Sequence, residues 1–191
     1  MLLTDHGLLR LPWGNLWQIS PGVWRANQPS PGRVARYARM GISTILNLRG
    51  ASAQSFYLLE AEACRRRGVD LIDLRLSARA LSAPAVYLAL LDRFETLPRP
   101  FLMHCKSGAD RAGLASALYL IHMDGVPAAR AARQLSLRFV HRRRSLTGIL
   151  DALIAAYGAE GETRGLTLRQ WLERRYDPAA VTASFAARHG H

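Results

Sequence analysis

The chain has 191 residues, of which 49% are hydrophobic, and it carries a formal net charge of +12. This length favours one domain, spanning residues 1–191, over two small ones, and no stretch approaches the ~20 apolar residues that a membrane helix needs. The basic surface favours an anionic partner: nucleic acid, anionic lipid or a phosphorylated substrate. The N-terminus does not resemble a secretory signal, and Cys64 and Cys105 alone make no disulfide framework, so we expect a cytoplasmic protein.

In the first half of the chain, strand patterns alternate with helix patterns. Prolines break residues 16–32 into short extended pieces, which predicts two short edge strands. The run "ISTILNL" is typical of a buried strand, and "VDLIDLRL" alternates as a strand does. Helices are predicted over residues 32–40, over residues 56–67 with Gly68 as the C-terminal stop, and from residues 82–84 onward.

The second half of the chain contains one more strand pattern and is otherwise helical. The run "PRPFLMH" predicts a central strand, and helices are predicted over residues 112–123, 127–135, 146–157 and 166–175. This order predicts a single α/β domain with a central, mostly parallel sheet flanked by helices. We expect a short N-terminal extension over residues 1–15 and a helical C-terminal extension over about residues 160–191. Ligands of such sheets bind at the C-terminal ends of the strands, which is where Cys105 is expected.

The segment between the central strand and the next helix, residues 105–111 and here called the cysteine loop, has the chemistry of an anion site. Its small residues Ser107, Gly108 and Ala109 let backbone N–H groups turn inward, and the following helix adds its own unpaired N–H groups. This environment favours both a bound tetrahedral dianion and the thiolate form of Cys105. Arg111 can bind two phosphoryl oxygens through its guanidinium fork. The loop therefore predicts nucleophilic attack by Cys105 on a phosphoryl group.

The run "HCKSGADRAG", in which a cysteine and an arginine flank five residues, resembles the signature of the protein tyrosine phosphatase superfamily. Its dual-specificity and phosphoinositide branches are the most similar, and the resemblance covers roughly residues 23–137. It implies a dual-specificity-phosphatase-like fold and a phosphatase that needs no cofactor or metal. It also implies that Cys105 forms a phosphocysteine intermediate, that Arg111 binds the phosphoryl group and that His104 tunes the thiolate. The residues implied to cradle the phosphate through their N–H groups are Lys106, Ser107, Gly108, Ala109, Asp110 and Arg111.

Two positions depart from the family pattern. Most members place Ser or Thr after the arginine, where the hydroxyl helps the thiolate leave, but this chain has Ala112. The family usually takes its general acid from a mobile loop after the preceding strand, but residues 77–84 contain no carboxylate. Some phosphoinositide-type members carry an Asp inside the signature, so we predict that Asp110 is the acid, with Asp73 as the fallback. Helix capping is the alternative role of Asp110.

The expected partner is a phosphorylated protein or a phosphoinositide-like substrate. Lys106 is the only lysine of the chain and follows the cysteine, as a basic residue does in phosphoinositide-type relatives. Together with the net charge, this favours a multiply phosphorylated or lipid headgroup, and peripheral contact with the inner face of an anionic membrane is a further option. We expect no specific nucleic-acid partner, since no binding motif is present. A catalytically weak phosphate-binding module is the alternative function, and a rhodanese-like sulfurtransferase ranks lower.

Other residues near this pattern have two interpretations each. Cys64 is either a buried structural cysteine or a redox partner of Cys105. The basic run over residues 138–145 is either a solvated loop, with His141 as a simple surface residue, or part of the pocket rim. Arg79 either contacts the substrate phosphate or is simply exposed. Arg49 either contacts substrate at the active edge of the sheet or forms a local salt bridge.

Overall fold

The computed structural model describes residues 14–189, so most of the expected N-terminal extension over residues 1–15 lies outside the described residues. The described part contains a five-stranded sheet in the order β1-β2-β5-β3-β4. Strands β1 and β2 are antiparallel, and all other neighbours are parallel. The strand bounds are Trp17–Ser20 for β1, Val23–Asn27 for β2, Thr44–Asn47 for β3, Asp70–Asp73 for β4 and Phe101–Cys105 for β5. The predicted mostly parallel sheet is therefore confirmed.

The central position of β5 is also confirmed, whereas the prediction of two N-terminal edge strands is wrong for β2. Strand β1 lies at the edge, but β2 lies between β1 and β5. The reason is that the prolines fall before and after β2, at Pro21 and Pro29, so every residue of β2 keeps its N–H for the ladder. In the register, Asn27 lies opposite Cys105 and Asn47 opposite His104, so the carboxyl ends of three strands meet at one edge.

Eight α-helices occur in the described residues, and several begin or end close to the predicted positions. Gly68 ends α2 in the left-handed conformation, with φ of 63°, as predicted. Predicted helix 127–135 is a single α-turn followed by a 3-10 turn, and predicted helix 146–157 begins as a 3-10 turn and ends in a π-turn. The helix bounds are Pro31–Arg39 (α1), Ser55–Arg67 (α2), Pro84–Thr96 (α3), Asp110–Asp124 (α4), Ala128–Ala131 (α5), Ile149–Ala156 (α6), Leu168–Arg174 (α7) and Pro178–His189 (α8).

Helices cover both faces of the sheet, because side chains alternate between the two faces along each buried strand. Leu102 packs into the apolar cluster that includes side chains of α1 and α2. Phe101, Met103 and Cys105 belong to the larger cluster on the other face, which includes side chains of α3, α4, α6 and α7. The predicted helical C-terminal part is present: Trp171 is fully buried, and Tyr176 donates a 3.0 Å hydrogen bond to the carbonyl of Ser82. Within residues 14–189, every helix is too short or too polar to span a bilayer.

Candidate active site

The cysteine loop makes a tight connection between β5 and α4. Cys105 is the last residue of β5 and is only 1% exposed, and α4 begins at Asp110. Gly108 has φ of +73°, and a Cβ at this position would lie 2.7 Å from the carbonyl oxygen of Ala26 in β2. Only glycine combines this left-handed conformation with so close an approach to the neighbouring strand. The glycine that sequence reasoning placed in the loop is therefore required by its backbone geometry.

Four consecutive carbonyl groups of the loop accept hydrogen bonds from donors outside it. The carbonyl of Lys106 accepts from the Gln28 N–H at 3.3 Å, and that of Ser107 accepts from Asn15 Nδ2 at 3.1 Å. The carbonyls of Gly108 and Ala109 both accept from one nitrogen of Arg25, at 2.6 and 3.1 Å. In a planar trans peptide, the N–H points opposite to the carbonyl that precedes it. The N–H groups of residues 107–110 are therefore turned toward the other side of the loop.

Arg25 is the residue behind the loop that sequence reasoning missed. It is fully buried, its second terminal nitrogen donates to the backbone and side-chain oxygens of Gln134 at 2.8 Å each, and its guanidinium lies 4.0 Å from the centre of the Phe139 ring. Burial lowers the pKa of Arg25 to about 10, and the nearby Cys105 and Asp110 oppose this shift. Arg25 therefore remains a cation at neutral pH. The available signal in the sequence was an arginine inside an otherwise mostly apolar strand, "VWRAN".

His104 lies on the opposite face of the sheet from Cys105, as alternation along β5 requires. Its Nε2 is 2.7 Å from Oε1 of Glu60 in α2, and both side chains are fully buried. The other oxygen of Glu60 accepts a hydrogen bond from Gln28, which in turn accepts one from Arg49 at 2.7 Å. Its position next to Cys105 is compatible with the predicted role of tuning the thiolate, which stays a prediction.

Asp110 contacts a buried histidine instead of capping its helix. The N-cap position of α4 is occupied by Ala109, without a side-chain capping bond. One oxygen of Asp110 lies 2.7 Å from Nδ1 of His141, and Nε2 of His141 lies 2.6 Å from Asp151 in α6. Asp151 also forms an ion pair with Arg143 at 2.9 Å. The side chain of Asp110 nevertheless remains 24% exposed, so it is open to solvent on one side.

His141 is a charged group in this arrangement, and its interpretation as a surface residue is wrong. It is 1% exposed because Phe139 and its own contacts to the two carboxylates draw the run over residues 138–145 inward. Burial opposes the charge, but the hydrogen bonds to Asp110 and Asp151 prevail and raise the pKa of His141 to about 9. At neutral pH the imidazolium therefore donates to both carboxylates. No local sequence signal marks this contact, since 31 residues separate His141 from Asp110.

Asp73, the fallback acid, is held away from the loop. It ends β4, which is separated from β5 by β3, so two inter-strand spacings of roughly 4.8 Å lie between the backbones. One carboxylate oxygen accepts from Asn47 Nδ2 at 2.7 Å and the other from the Tyr57 hydroxyl at 2.6 Å. The bond to Asp73 raises the pKa of Tyr57 to about 12. These contacts are typical of a carboxylate that fixes local structure.

Cys64 is best read as a structural cysteine. It is 1% exposed and belongs to the apolar cluster beside α1 and α2, whereas Cys105 belongs to the cluster on the other face of the sheet. Burial, together with the nearby charge of Glu60, raises the pKa of the Cys64 thiol to about 12. A thiol in this environment is a poor nucleophile for exchange with Cys105.

Beside the cysteine loop, a cavity of about 640 Å³ is lined by arginines. Arg111 forms one side, and the others come from the loops after β3 and β4: Arg49, Arg75 and Arg79. No carboxylate of the described residues lines this cavity. Nor does the described part of the chain contain a cluster of three or more His, Cys, Asp or Glu side chains that could hold a metal ion.

A family model described as "tyrosine phosphatase family" matches residues 24–137, more than half of the chain. The chain belongs to the tyrosine phosphatase family. This confirms the superfamily resemblance and nearly the same range, residues 23–137, that the sequence indicated. The roles of Cys105, Asp110, Arg111 and the other loop residues stay predictions.

Known relatives agree with this assignment. The curated dual specificity protein phosphatase TpbA of Pseudomonas aeruginosa is 29% identical over 113 residues, which span 58% of this chain and 48% of the relative. The chain thus matches about half the length of that protein. The crystal structure of P. aeruginosa TpbA has a TM-score of 0.61 at 23% identity and covers 83% of this chain and 92% of its own.

Two further solved structures share the fold and contain small molecules. A TpbA variant in complex with pTyr has a TM-score of 0.60 at 22% identity, covering 86% of this chain and 99% of that chain. The core catalytic domain of the PP-IP phosphatase SIW14 from S. cerevisiae, in complex with citrate, has a TM-score of 0.55 at 15% identity and covers 92% of this chain and 93% of that chain. The dual-specificity-phosphatase-like α/β fold is therefore confirmed.

Proposed function

We propose that the protein hydrolyses phosphomonoesters through a phosphocysteine intermediate on Cys105. The observation that carries this function is the outward anchoring of the four loop carbonyls, from Lys106 to Ala109. It turns a series of N–H groups toward one side of the loop, next to the N-terminus of α4. Such a preorganised set of donors stabilises the charge of the phosphoryl group in the transition state of its transfer, because the donors need not reorganise during the reaction.

In the first step, the thiolate of Cys105 attacks phosphorus, the S–P bond forms and the bond to the ester oxygen breaks. The departing oxygen takes a proton through Asp110, and this proton comes from the imidazolium of His141, which is hydrogen-bonded to that carboxylate. In the second step, water attacks phosphorus, Asp110 accepts the proton of that water and returns one to His141, and the S–P bond breaks to give the thiolate and free phosphate. Arg111 binds two phosphoryl oxygens in both steps. Its Nε is buried without a protein partner in the described residues, which supports this role.

Asp110 is favoured over Asp73 as the proton donor because of its contacts. Asp110 lies within the loop and keeps part of its carboxylate exposed, whereas both oxygens of Asp73 are occupied by Asn47 and Tyr57. His141 acts as a positioning residue, since its hydrogen bond to one oxygen of Asp110 leaves the other oxygen to face the substrate. Ala112 supplies no hydroxyl to stabilise the departing thiolate, so the second step is expected to limit turnover.

The substrate class follows from the chemistry of the site and from relatives. TpbA is named a dual specificity phosphatase and has been crystallised with pTyr, and SIW14 is named a PP-IP phosphatase. Phosphotyrosine, phosphoserine or phosphothreonine proteins and phosphoinositide-type headgroups are therefore the candidate substrates. A cytoplasmic location, with peripheral contact to an anionic membrane, belongs to the same proposal.

The function is tested by phosphate release from a phosphotyrosine peptide, a phosphothreonine peptide and phosphoinositide vesicles. We expect the wild type to release phosphate from at least one substrate and Cys105→Ser to release none. The far-UV circular dichroism of Cys105→Ser and its binding of inorganic phosphate serve as controls for folding. If the wild type binds phosphorylated ligands without releasing phosphate, the chain is instead a phosphate-recognition module, which Ala112 and the carboxylate-free loop over residues 77–84 would then explain.

A further inference from the structure

The arginine pocket, defined as the cavity lined by Arg49, Arg75, Arg79 and Arg111, is the feature that the proposed reaction leaves unexplained. Its volume of about 640 Å³ is much larger than one phosphoryl group needs and lies within the ~300–1,000 Å³ range of small-molecule sites. Arg111 is the member that the proposed function assigns to the reacting phosphoryl group. The remaining three arginines line the space beside that group.

Two of the arginines that line the pocket have no side-chain partner in the described part of the chain. Within residues 14–189, the side chains of Arg75 and Arg79 form no hydrogen bond or ion pair, and no carboxylate lines the pocket. Arg49 is aimed differently: it donates to Gln28 at 2.7 Å and lies 3.5 Å from the centre of the Phe56 ring. Two unpaired cations beside the phosphoryl-binding Arg111 attract a ligand with more than one negative charge.

The walls of the pocket are held in place by hydrogen bonds and close packing. Asn47 accepts from the N–H of Arg49 at 2.9 Å and donates to the carbonyl of Gly50 at 3.1 Å, which fixes the loop after β3. Gly50 has φ of +76°, and a Cβ there would lie 2.9 Å from Cβ of Arg75. The two loops therefore pack closely against each other at this point.

Hydrogen bonds order both ends of the loop after β4. Near its start, the hydroxyl of Ser77 accepts from the N–H groups of Arg79 and Ala80 at 3.2 and 3.1 Å. At its end, Ser82 donates its N–H to the Tyr87 hydroxyl at 3.1 Å and accepts from the Tyr176 hydroxyl at 3.0 Å. The backbone around the pocket is therefore held in place, and all the charged side chains that line it are positive.

We propose that the arginine pocket binds a second phosphate group of the same substrate molecule, so that the preferred substrates are compact polyols carrying at least two phosphates. This inference rests on the proposed function for the position of the first phosphate. Guanidinium forks suit phosphate because each offers two parallel N–H donors to two oxygens. An inositol ring with several phosphates has the required size and charge, and it occurs both free and as a lipid headgroup.

The test compares kcat/KM for an inositol trisphosphate with kcat/KM for para-nitrophenyl phosphate, which carries one phosphate. The ratio of the two values is measured for the wild type and for the double variant Arg75→Gln/Arg79→Gln. Losing two charge-assisted contacts is expected to lower this ratio by about 10- to 100-fold, mainly through KM. The matched control is Arg67→Gln/Arg164→Gln, which removes two exposed arginines outside the pocket and is expected to leave the ratio unchanged.

Several outcomes would overturn the inference. One is a wild type whose kcat/KM ratio for the trisphosphate is no higher than the same ratio for an inositol monophosphate. Another is a control variant in which the ratio falls as much as in Arg75→Gln/Arg79→Gln. Either result would show that the pocket adds nothing beyond the general positive charge of the protein. If the wild type hydrolyses neither substrate, the proposed function fails, and the pocket is judged separately by equilibrium binding of the trisphosphate. In that case an affinity unaffected by Arg75→Gln/Arg79→Gln would overturn the inference. Higher activity on phosphatidylinositol bisphosphate vesicles than on the free trisphosphate would identify the lipid as the source of the headgroup.

Discussion

The buried imidazolium of His141 should make both the stability and the activity of this protein fall at alkaline pH. In the folded protein its pKa is raised from 6.5 to about 9 by Asp110 and Asp151. At 1.36 kcal/mol per pKa unit, this net shift favours the charged form by about 3 kcal/mol. Some of this is screened by solvent, because the carboxylates of Asp110 and Asp151 are 24% and 21% exposed.

The sign of the effect follows from the direction of the shift. A group with a raised pKa in the folded state contributes its full stabilisation below its unfolded pKa and loses it as the pH rises through the folded value. The stabilisation is therefore complete below pH 6.5 and lost by about pH 9. Neutral imidazole has one N–H, so it can donate to Asp110 or to Asp151 but not to both. Loss of the proton thus also loosens the hold on the proposed acid.

The variant His141→Gln removes the titrating group while keeping a side chain of similar length. Its free energy of unfolding is compared with that of the wild type by urea titration at intervals between pH 6 and 9.5. We expect the difference to shrink by about 2–3 kcal/mol across this range. The alkaline limb of kcat/KM, near pH 9 in the wild type, should move to lower pH in Asp151→Asn, because His141 then loses one of the carboxylates that favour its charge. A difference that stays constant with pH would refute the reasoning, since it would show that His141 has no raised pKa.

Three further predictions concern the cysteine loop and the residue that follows it. Gly108→Ala should abolish turnover, because the new Cβ would lie only 2.7 Å from the backbone of β2. The control is Gly165→Ala, which also has a positive φ but has open space around it. It should cost only about 1 kcal/mol of stability and leave kcat unchanged. Asp110→Asn should lower kcat about 10²- to 10⁴-fold for an ester with a poor leaving group, whereas Asp73→Asn should change kcat less than about threefold. Equal losses of kcat in the two variants would contradict the choice of Asp110 as the acid. Ala112→Ser should speed the second step, so stopped-flow traces should show a burst of alcohol release in the wild type and a smaller burst in the variant.

The elements around the cysteine loop could be predicted because their signals are local. The apolar run before Cys105, the small residues within the loop and the periodicity after it each predict one element, and neighbouring elements in the chain are also neighbours in space. The edge position assigned to β2 failed for the opposite reason. Strand order depends on which strand pairs with β5, and pairing is a non-local property that the composition of residues 16–32 does not record.

The same distinction separates the predicted site residues from the missed ones. Cys105 and Arg111 share one short motif, whereas the residues that hold this motif in place come from distant parts of the chain. Arg25 is 83 residues from the carbonyl of Gly108, and Asn15 is 92 residues from that of Ser107. His141 lies in an arginine-rich run whose composition is typical of a solvated loop. Non-local contacts hold that run against the loop: Phe139 packs beneath Arg25, and His141 binds Asp110 and Asp151.

The position of the acid and the charge of the neighbouring pocket are physically connected. A carboxylate in the loop after β4 would stand among Arg75 and Arg79 and would repel any second phosphate placed between them. With the proposed acid on Asp110, backed by His141, that loop needs no carboxylate and can present arginines alone. In the proposal, proton transfer is then assigned to Asp110 and binding of the second phosphate to the arginine pocket. Under the proposed function, the absence of an acidic residue from residues 77–84 removes a charge that would repel a multiply charged substrate.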